Sequence, residues 1–193
     1  MKKDIILSGV GGQGILSIAA IIGFAAVDKG LFVKQAEVHG MSQRGGAVQS
    51  HLRISSEEIS SDLIPFGEAD MILSVEPMES LRYLPYLSEA GWIITNTTPF
   101  VNIPNYPDLE SLLNQIRSYK NVVAINVDEI AKKINSPKSS NVVLLGAAST
   151  YLDIPYDNLE GGIRTLFGGK GENVVKMNLS ALKAGLESAF VTK

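Results

Sequence analysis

Cysteine is absent from this 193-residue chain. That excludes disulfides, a thiolate nucleophile and any iron–sulfur cluster held on the chain's own cysteines. If the protein takes part in redox chemistry, the electrons must travel on something another chain holds. Histidine occurs only as His39 and His51, and no metal-ligand spacing surrounds either. There is no basic run and the formal charge is −3, which argues against nucleic acid as a partner. The apolar stretch Ile15 to Val27 contains Ser17 and Gly23 and stops at Asp28. It falls short of the about 20 apolar residues that span a bilayer, so no membrane association is expected. Met1-Lys2-Lys3-Asp4 leads straight into a strand. No cleavable signal is therefore expected, and the cytoplasm is the expected location. Also missing are a G-x-S-x-G elbow, a defensible pair of acids and a candidate triad, so no catalytic residue is assigned.

What is present begins with a globular composition: 45% hydrophobic and 19% charged residues, enough for one domain over residues 1–193. The chain is organised around Asp4 to Gly14, DIILSGVGGQG. Ile5, Ile6 and Leu7 read as a buried parallel strand feeding a helix. Between them Gly9, Gly11 and Gly14 fit G-x-G-x-x-G, with Gly12 as a fourth glycine. Glycines permit positive φ and let backbone N–H groups approach a ligand, while the following helix points its positive end at the turn. This is a candidate phosphate or carboxylate site. Glu37, ending the run Leu31 to Val38, stands where a dinucleotide fold places its ribose-binding acid. A tight turn with no ligand is the plainer alternative.

Helix one spans about Gly14 to Lys29 and is apolar nearly all round, which implies packing on more than one side. Strand two, roughly Leu31 to Val38, leads into His39-Gly40-Met41-Ser42-Gln43-Arg44-Gly45-Gly46. An alternating strand follows, with Val48, Ser50, Leu52 and Ile54 on one face and Gln49, His51 and Arg53 on the other. Ile59 to Ile64 is expected to return beside it, giving an antiparallel hairpin in an otherwise parallel sheet. Arg44 beside two glycines offers a planar fork for an anion, or else a solvated surface turn. His39 could donate to the same ligand. His51, on the polar face, is expected at the surface or an interface. Glu76 and Asn96 both end strands and could line the same crevice, or serve as caps. Glu76-Pro77 opens a helix expected to reach Leu87, closed by Gly91, before a strand Trp92 to Thr95. Helices are further expected at about 109–118, 128–134, 141–152, 158–167 and 173–190, and a strand at 122–126. Gly168-Gly169-Lys170-Gly171 is no Walker loop, because glycine follows the lysine and two helices flank it. The last helix carries Val175, Leu179, Leu182, Leu186 and Phe190 on one stripe.

Three stretches resemble the gamma-type subunit of 2-oxoacid:ferredoxin oxidoreductases: Gly9-Val10-Gly11-Gly12-Gln13-Gly14, Glu37 through Gly46, and Val75-Glu76-Pro77-Met78-Glu79-Ser80-Leu81-Arg82. Within that family the chain is similar to the small subunit of indolepyruvate ferredoxin oxidoreductases, along nearly its whole length. The resemblance implies a three-layer, Rossmann-like α/β domain with a mostly parallel sheet and an inserted antiparallel hairpin. It implies a complex that oxidatively decarboxylates arylpyruvates to acyl-CoA and passes electrons to ferredoxin. Thiamine diphosphate and [4Fe–4S] clusters would sit on a large alpha subunit, with coenzyme A as co-substrate and no cofactor held by this chain alone. By the same likeness the first glycine loop with Gln13, and Ser42, Gln43 and Arg44 with Gly45 and Gly46, would face the cleft shared with that subunit.

Overall fold

Ile5, Ile6 and Leu7 have no exposed surface, because strand β1 (Lys2–Val10) is interior to its sheet and covered on both faces. The computed structural model describes residues 1–39 and 45–191, excluding the side chains of His39 and Val191. Its sheet has six strands in the order β2-β3-β1-β4-β5-β6. The other strands are β2 (Phe32–His39), β3 (Ala47–Ser55), β4 (Ala69–Ser74), β5 (Leu87–Asn96) and β6 (Val122–Ile125). β1, β4, β5 and β6 pair in parallel, whereas β3 is antiparallel to both β1 and β2. This is a mostly parallel α/β sheet with one strand reversed.

The antiparallel hairpin is therefore β2–β3, not β3 with Ile59–Ile64. Residues 56–68 make no strand; they cross the face of β3 that alternation marks as polar. Arg53 Nη1 donates to the carbonyls of Ser61 and Leu63, and Lys34 Nζ to that of Ser60. His51 is buried within the chain, against the expectation of a surface or interface position: its Nδ1 accepts the Ile64 N–H at 3.0 Å and its ring meets Tyr86 edge-on. Burial holds the His51 imidazole below its usual pKa, against a smaller opposing pull from Asp62. Arg53 also grips the buried Asp4 carboxylate bidentately, at 2.8 and 3.0 Å, which pins the β1–β3 register.

One face of the sheet carries α1 (Ile15–Asp28), α4 (Val127–Lys133), α5 (Ser140–Ala148), α6 (Tyr156–Phe167) and α7 (Glu172–Val191). The other carries α2 (Pro77–Arg82) and α3 (Leu109–Arg117). Helix α2 is shorter than expected. Gly91 lies inside β5 and does not close the helix; a Cβ there would stand 2.8 Å from the Ala69 carbonyl, where the β4–β5 register shifts. Helix α7 buries Val175, Asn178, Ala181, Leu182, Gly185 and Ala189, so the expected stripe is rotated and Phe190 is exposed. The reason is close contact with α5: a Cβ on Gly146 would meet the Leu182 carbonyl at 2.0 Å, and one on Gly185 the Val143 carbonyl at 1.9 Å. Only glycine lets these two backbones touch. Helix α1 packs on the sheet and on α6, yet Leu16, Phe24 and Val27 remain exposed, so its apolar circumference is not fully covered.

Candidate functional site

The glycine loop between β1 and α1 stands at the carboxyl end of β1, and each glycine meets a different demand. A Cβ on Gly9 would lie 2.3 Å from Val75 Cγ2, so Gly9 is a packing residue. Gly11 exchanges backbone bonds with the second loop: its N–H donates to the Gly46 carbonyl at 2.9 Å, and the Gly45 N–H donates to its carbonyl at 3.3 Å. Gly12 adopts φ +102° over open space. Gly14 adopts φ +81° at the α1 N-cap, and a Cβ would come within 2.7 Å of Asn141 Nδ2. Gln13 is turned inward, its Oε1 accepting the Val10 N–H at 2.7 Å and its Nε2 donating to the Val75 carbonyl. Ser17 and Ile18 N–H bond back to the Gly14 carbonyl. No hydrogen bond among the described residues engages the N–H groups of Gly12, Gly14, Ile15 or Leu16. Four donors are thus left at the positive end of a 14-residue helix, the arrangement that favours an anion.

Two cavities flank this loop and share Gly12, Gly14 and Ser17. The first, about 520 Å³, lies between α1 and the β2–β3 hairpin, with Leu16, Val48 and Glu37 in its wall. The second, about 590 Å³, lies toward α5 and α7. Glu37 thus does face the glycine loop, though not as in a dinucleotide fold. β3 intervenes between β1 and β2, so the acid stands two strand spacings from β1, roughly 10 Å, where the dinucleotide arrangement has one.

Glu76 and Asn96 are committed within the chain. Glu76 is fully buried: its Oε2 accepts the Glu79 N–H at 2.9 Å, and its Oε1 accepts the Phe100 N–H and the Tyr106 hydroxyl. Burial and that carboxylate raise the Tyr106 phenol above its usual pKa. Burial likewise raises Glu79, against the bond from Arg82. Asn96 donates to the Val75 and Thr98 carbonyls and to Asp128 Oδ2, and accepts from the N–H groups of Thr98 and Val127. It lines a third cavity of about 300 Å³, but its amide is already occupied. Ser42, Gln43 and Arg44 lie outside the described residues, as does the His39 side chain; Gly45 and Gly46 form the seam with Gly11.

Two residues that shape this site carry no signal in their local sequence. Asn141, 127 positions from Gly14, donates from Nδ2 to the Gly14 carbonyl at 3.0 Å and ties α5 to the loop. Asn102, in the irregular 97–107 segment, donates to the Gly45 carbonyl at 2.7 Å and holds the seam from the far side. Among the described residues no cluster of three or more His, Cys, Asp or Glu could hold a metal ion, and no helix is long and apolar enough to cross a membrane.

The family model described as pyruvate ferredoxin/flavodoxin oxidoreductase matches residues 4–188. An indolepyruvate oxidoreductase subunit, IorB, of Archaeoglobus fulgidus is 37% identical over 199 residues, covering 98% of this chain and 96% of that protein. The 2-oxoglutarate:ferredoxin oxidoreductase of Magnetococcus marinus, solved with 2-oxoglutarate, coenzyme A and succinyl-CoA bound, superposes with a TM-score of 0.77 at 24% identity, over 98% of this chain and 31% of that one. The gamma subunit of a keto/oxoacid ferredoxin oxidoreductase from Geobacter sulfurreducens gives 0.73 at 23% identity, over 98% of this chain and 99% of its own.

Proposed function

The chain belongs to the pyruvate ferredoxin/flavodoxin oxidoreductase family, and from that premise we propose that it is the cluster-free subunit of an indolepyruvate (arylpyruvate) ferredoxin oxidoreductase. The complex would decarboxylate a 2-oxoacid oxidatively to its acyl-CoA and pass the electrons to ferredoxin. The observation that carries the reading is the 37% identity to an indolepyruvate oxidoreductase subunit over nearly the whole of both chains.

The donor set agrees with a division of labour. With no cysteine, this chain offers no thiolate for a [4Fe–4S] cluster, so clusters and thiamine diphosphate are assigned to a large alpha subunit. When bound there, the thiamine cofactor supplies the carbanion chemistry of decarboxylation. This chain would contribute binding and shape. The N–H groups of Gly12, Gly14, Ile15 and Leu16, unengaged among the described residues, suit an anionic group of coenzyme A, and Arg44 is assigned to the same ligand. Gly9, Gln13, Gly11, Gly45 and Gly46 would hold that surface in place. Glu76 and Asn96 would act at a remove, by fixing the strand ends and the 97–107 segment. Exposed apolar side chains on α1 (Leu16, Phe24, Val27) and the unpaired outer edge of β2 leave surface that a partner chain would cover. A cytoplasmic location goes with this assignment.

The test is recovery of the chain from its native extract at low oxygen, with ferredoxin-linked oxidation of indolepyruvate and other 2-oxoacids assayed on the product. A larger, brown, cysteine-rich partner with coenzyme A-dependent turnover on indolepyruvate is expected. Preference for pyruvate, 2-oxoglutarate or a branched-chain acid would overturn the substrate and keep the family. A colourless chain that binds NAD or FAD tightly by itself would overturn the subunit assignment.

A further inference from the structure

Strand β2 ends the sheet, so one side of its backbone meets no other strand among the described residues. The hydrogen bonds of the neighbouring strands show which groups those are. The Ser56 N–H donates to the Met1 carbonyl and the Gly11 N–H to the Gly46 carbonyl, continuing the β1–β3 register at its two ends. In an antiparallel ladder bonded pairs alternate with unbonded ones, so the even-numbered residues of β3 bond to β1 and the odd-numbered ones to β2. Through the β2–β3 register those odd residues meet Phe32, Lys34, Ala36 and Val38. The N–H and C=O groups of Val33, Gln35 and Glu37 are therefore the ones that point off the edge. The usual devices that blunt an exposed edge are missing. Phe32–His39 holds no proline, its register with β3 runs unshifted, and its one lysine turns Nζ to the Ser60 carbonyl. Phe32 and Val38 share the face of Lys34 and are 51% and 46% exposed. On the opposite face α1 lies against β2: a Cβ on Gly23 would stand 4.0 Å from Val33 Cγ1, and Phe24 and Val27, beside Gly23 on the helix, are exposed.

We infer that this edge pairs with the same edge of a second copy of the chain, antiparallel about a two-fold axis at Gln35, which joins two six-stranded sheets into one. Residues opposite one another in such a pair put their side chains on the same face, so the axis passes through a residue and pairs positions of like parity. With the axis at Gln35 the outward residues meet one another. Val33 faces Glu37 of the second copy, Gln35 faces Gln35, and Glu37 faces Val33, each pair exchanging two N–H···O=C bonds. Phe32 then stands opposite Val38 at both ends of the overlap, and Lys34 opposite Ala36. Charge rejects two other registers: an axis at Lys34 sets lysine against lysine, and one at Glu37 sets carboxylate against carboxylate. An axis at Ala36 lays the Lys34 side chain on Val38 and carries Phe32 past the end of the strand. An axis at Val33 pairs only Phe32 to Lys34 within the strand. The Gln35 register alone matches apolar with apolar and opposes no like charges. The paired stretch, residues 32–38, is about 23 Å long, and with about 10 Å of sheet depth it covers roughly 500 Å² over both copies, about half of what a stable interface needs. Phe24 and Val27 border that strip and extend it, so the dimer is reversible, not obligate. The glycine loop, at the carboxyl end of β1, stays open to a large subunit. The pairing stands on the strand alone and does not depend on the function proposed above.

Sedimentation velocity of the full chain across roughly 1 μM to 1 mM tests this. It is run beside Phe32→Lys/Val38→Lys and the control Phe190→Lys, which changes an exposed side chain on α7. A concentration-dependent dimer is expected, weakened about tenfold or more in the double variant and unchanged in the control. Melting curves check that both variants are folded. The absence of cysteine gives a second reading, of the register itself. Phe32 and Val38 of the second copy form a close, unbonded pair with Cα atoms about 4.5 Å apart, within reach of a disulfide, whereas the two Phe32 residues lie about 20 Å apart along the strands. An equimolar mixture of Phe32→Cys and Val38→Cys chains should link 32 to 38 on mild oxidation, and each variant alone should stay unlinked. Three results overturn the inference: a chain that is monomeric throughout the range, a dimer that the lysine pair leaves intact, or a cysteine variant that links alone as readily as the mixture does. None of them bears on the subunit assignment, which is read from turnover of the recovered complex.

Discussion

Replacing Gly14 by alanine should damage the glycine loop by two separable routes, and a double-mutant cycle can tell them apart. Alanine at φ +81° pays for a left-handed backbone, about 1–2 kcal/mol. Its Cβ would also stand 2.7 Å from Asn141 Nδ2, so Asn141 must move and lose its 3.0 Å bond to the Gly14 carbonyl, a further loss of about 0.5–1.5 kcal/mol. The sum is roughly 1.5–3.5 kcal/mol, and at about 2–4 °C per kcal/mol for a chain of this size the melting temperature should fall by roughly 3–14 °C. In an Asn141→Ala background the collision and the hydrogen bond are both gone, so Gly14→Ala should cost only the backbone term. Urea unfolding of the four proteins, with a common slope, reads the coupling directly. If Gly14→Ala costs the same with and without Asn141, the close approach of α5 is not what glycine serves at this position.

Adjacent glycines in α6 should respond with opposite signs. Gly161 has open space around its missing Cβ, so Gly161→Ala should stabilise by about 0.5–1 kcal/mol through helix propensity; Gly162→Ala should destabilise, because its Cβ would lie 2.5 Å from the Ile21 carbonyl, and thermal melts of the pair check both. His51 has a folded pKa below the unfolded value of about 6.5, so the unfolded chain binds the extra proton. The contribution is complete above that value and is lost as pH falls through it toward the folded pKa. His51→Gln should therefore flatten the loss of stability as pH falls below about 6.5, and an unchanged pH profile would remove His51 as its source. Tyr106→Phe deletes a partly buried hydrogen bond to the Glu76 carboxylate and should cost about 1.5–3 kcal/mol by urea unfolding. In the assembled complex Arg44→Ala should lower turnover or raise the requirement for coenzyme A roughly tenfold, a charge-assisted contact of about 1.5–3 kcal/mol; unchanged kinetics would deny it a ligand role.

Much of this architecture could be read along the chain, because local chemistry determines it. Ile5-Ile6-Leu7 before a glycine-rich turn means a buried strand feeding a helix wherever the segment packs. Proline at the first turn of α2 and the 109–117 amphipathic pattern act within a few residues, and a reversed strand after position 46 followed from alternation. The pairing of those elements was decided elsewhere. Whether β3 paired with β2 or with Ile59–Ile64 depended on which edge lay free beside β1, and alternation carries no information about edges. His51 shares its alternating face with Arg53, and a polar face reads as solvent until the 56–68 loop covers it. Helix α7 shows the same limit: its apolar residues permit several rotations, and the contact of Gly146 with Gly185 selects one because only there can two backbones meet. At the site, the sequence determined the glycines and the acid at Glu37. The intervening strand that doubles their separation and the Asn141 and Asn102 ties join residues up to 127 positions apart. Such relations exist only once the chain has closed on itself, since contact between distant segments is set by packing and not by neighbouring residues.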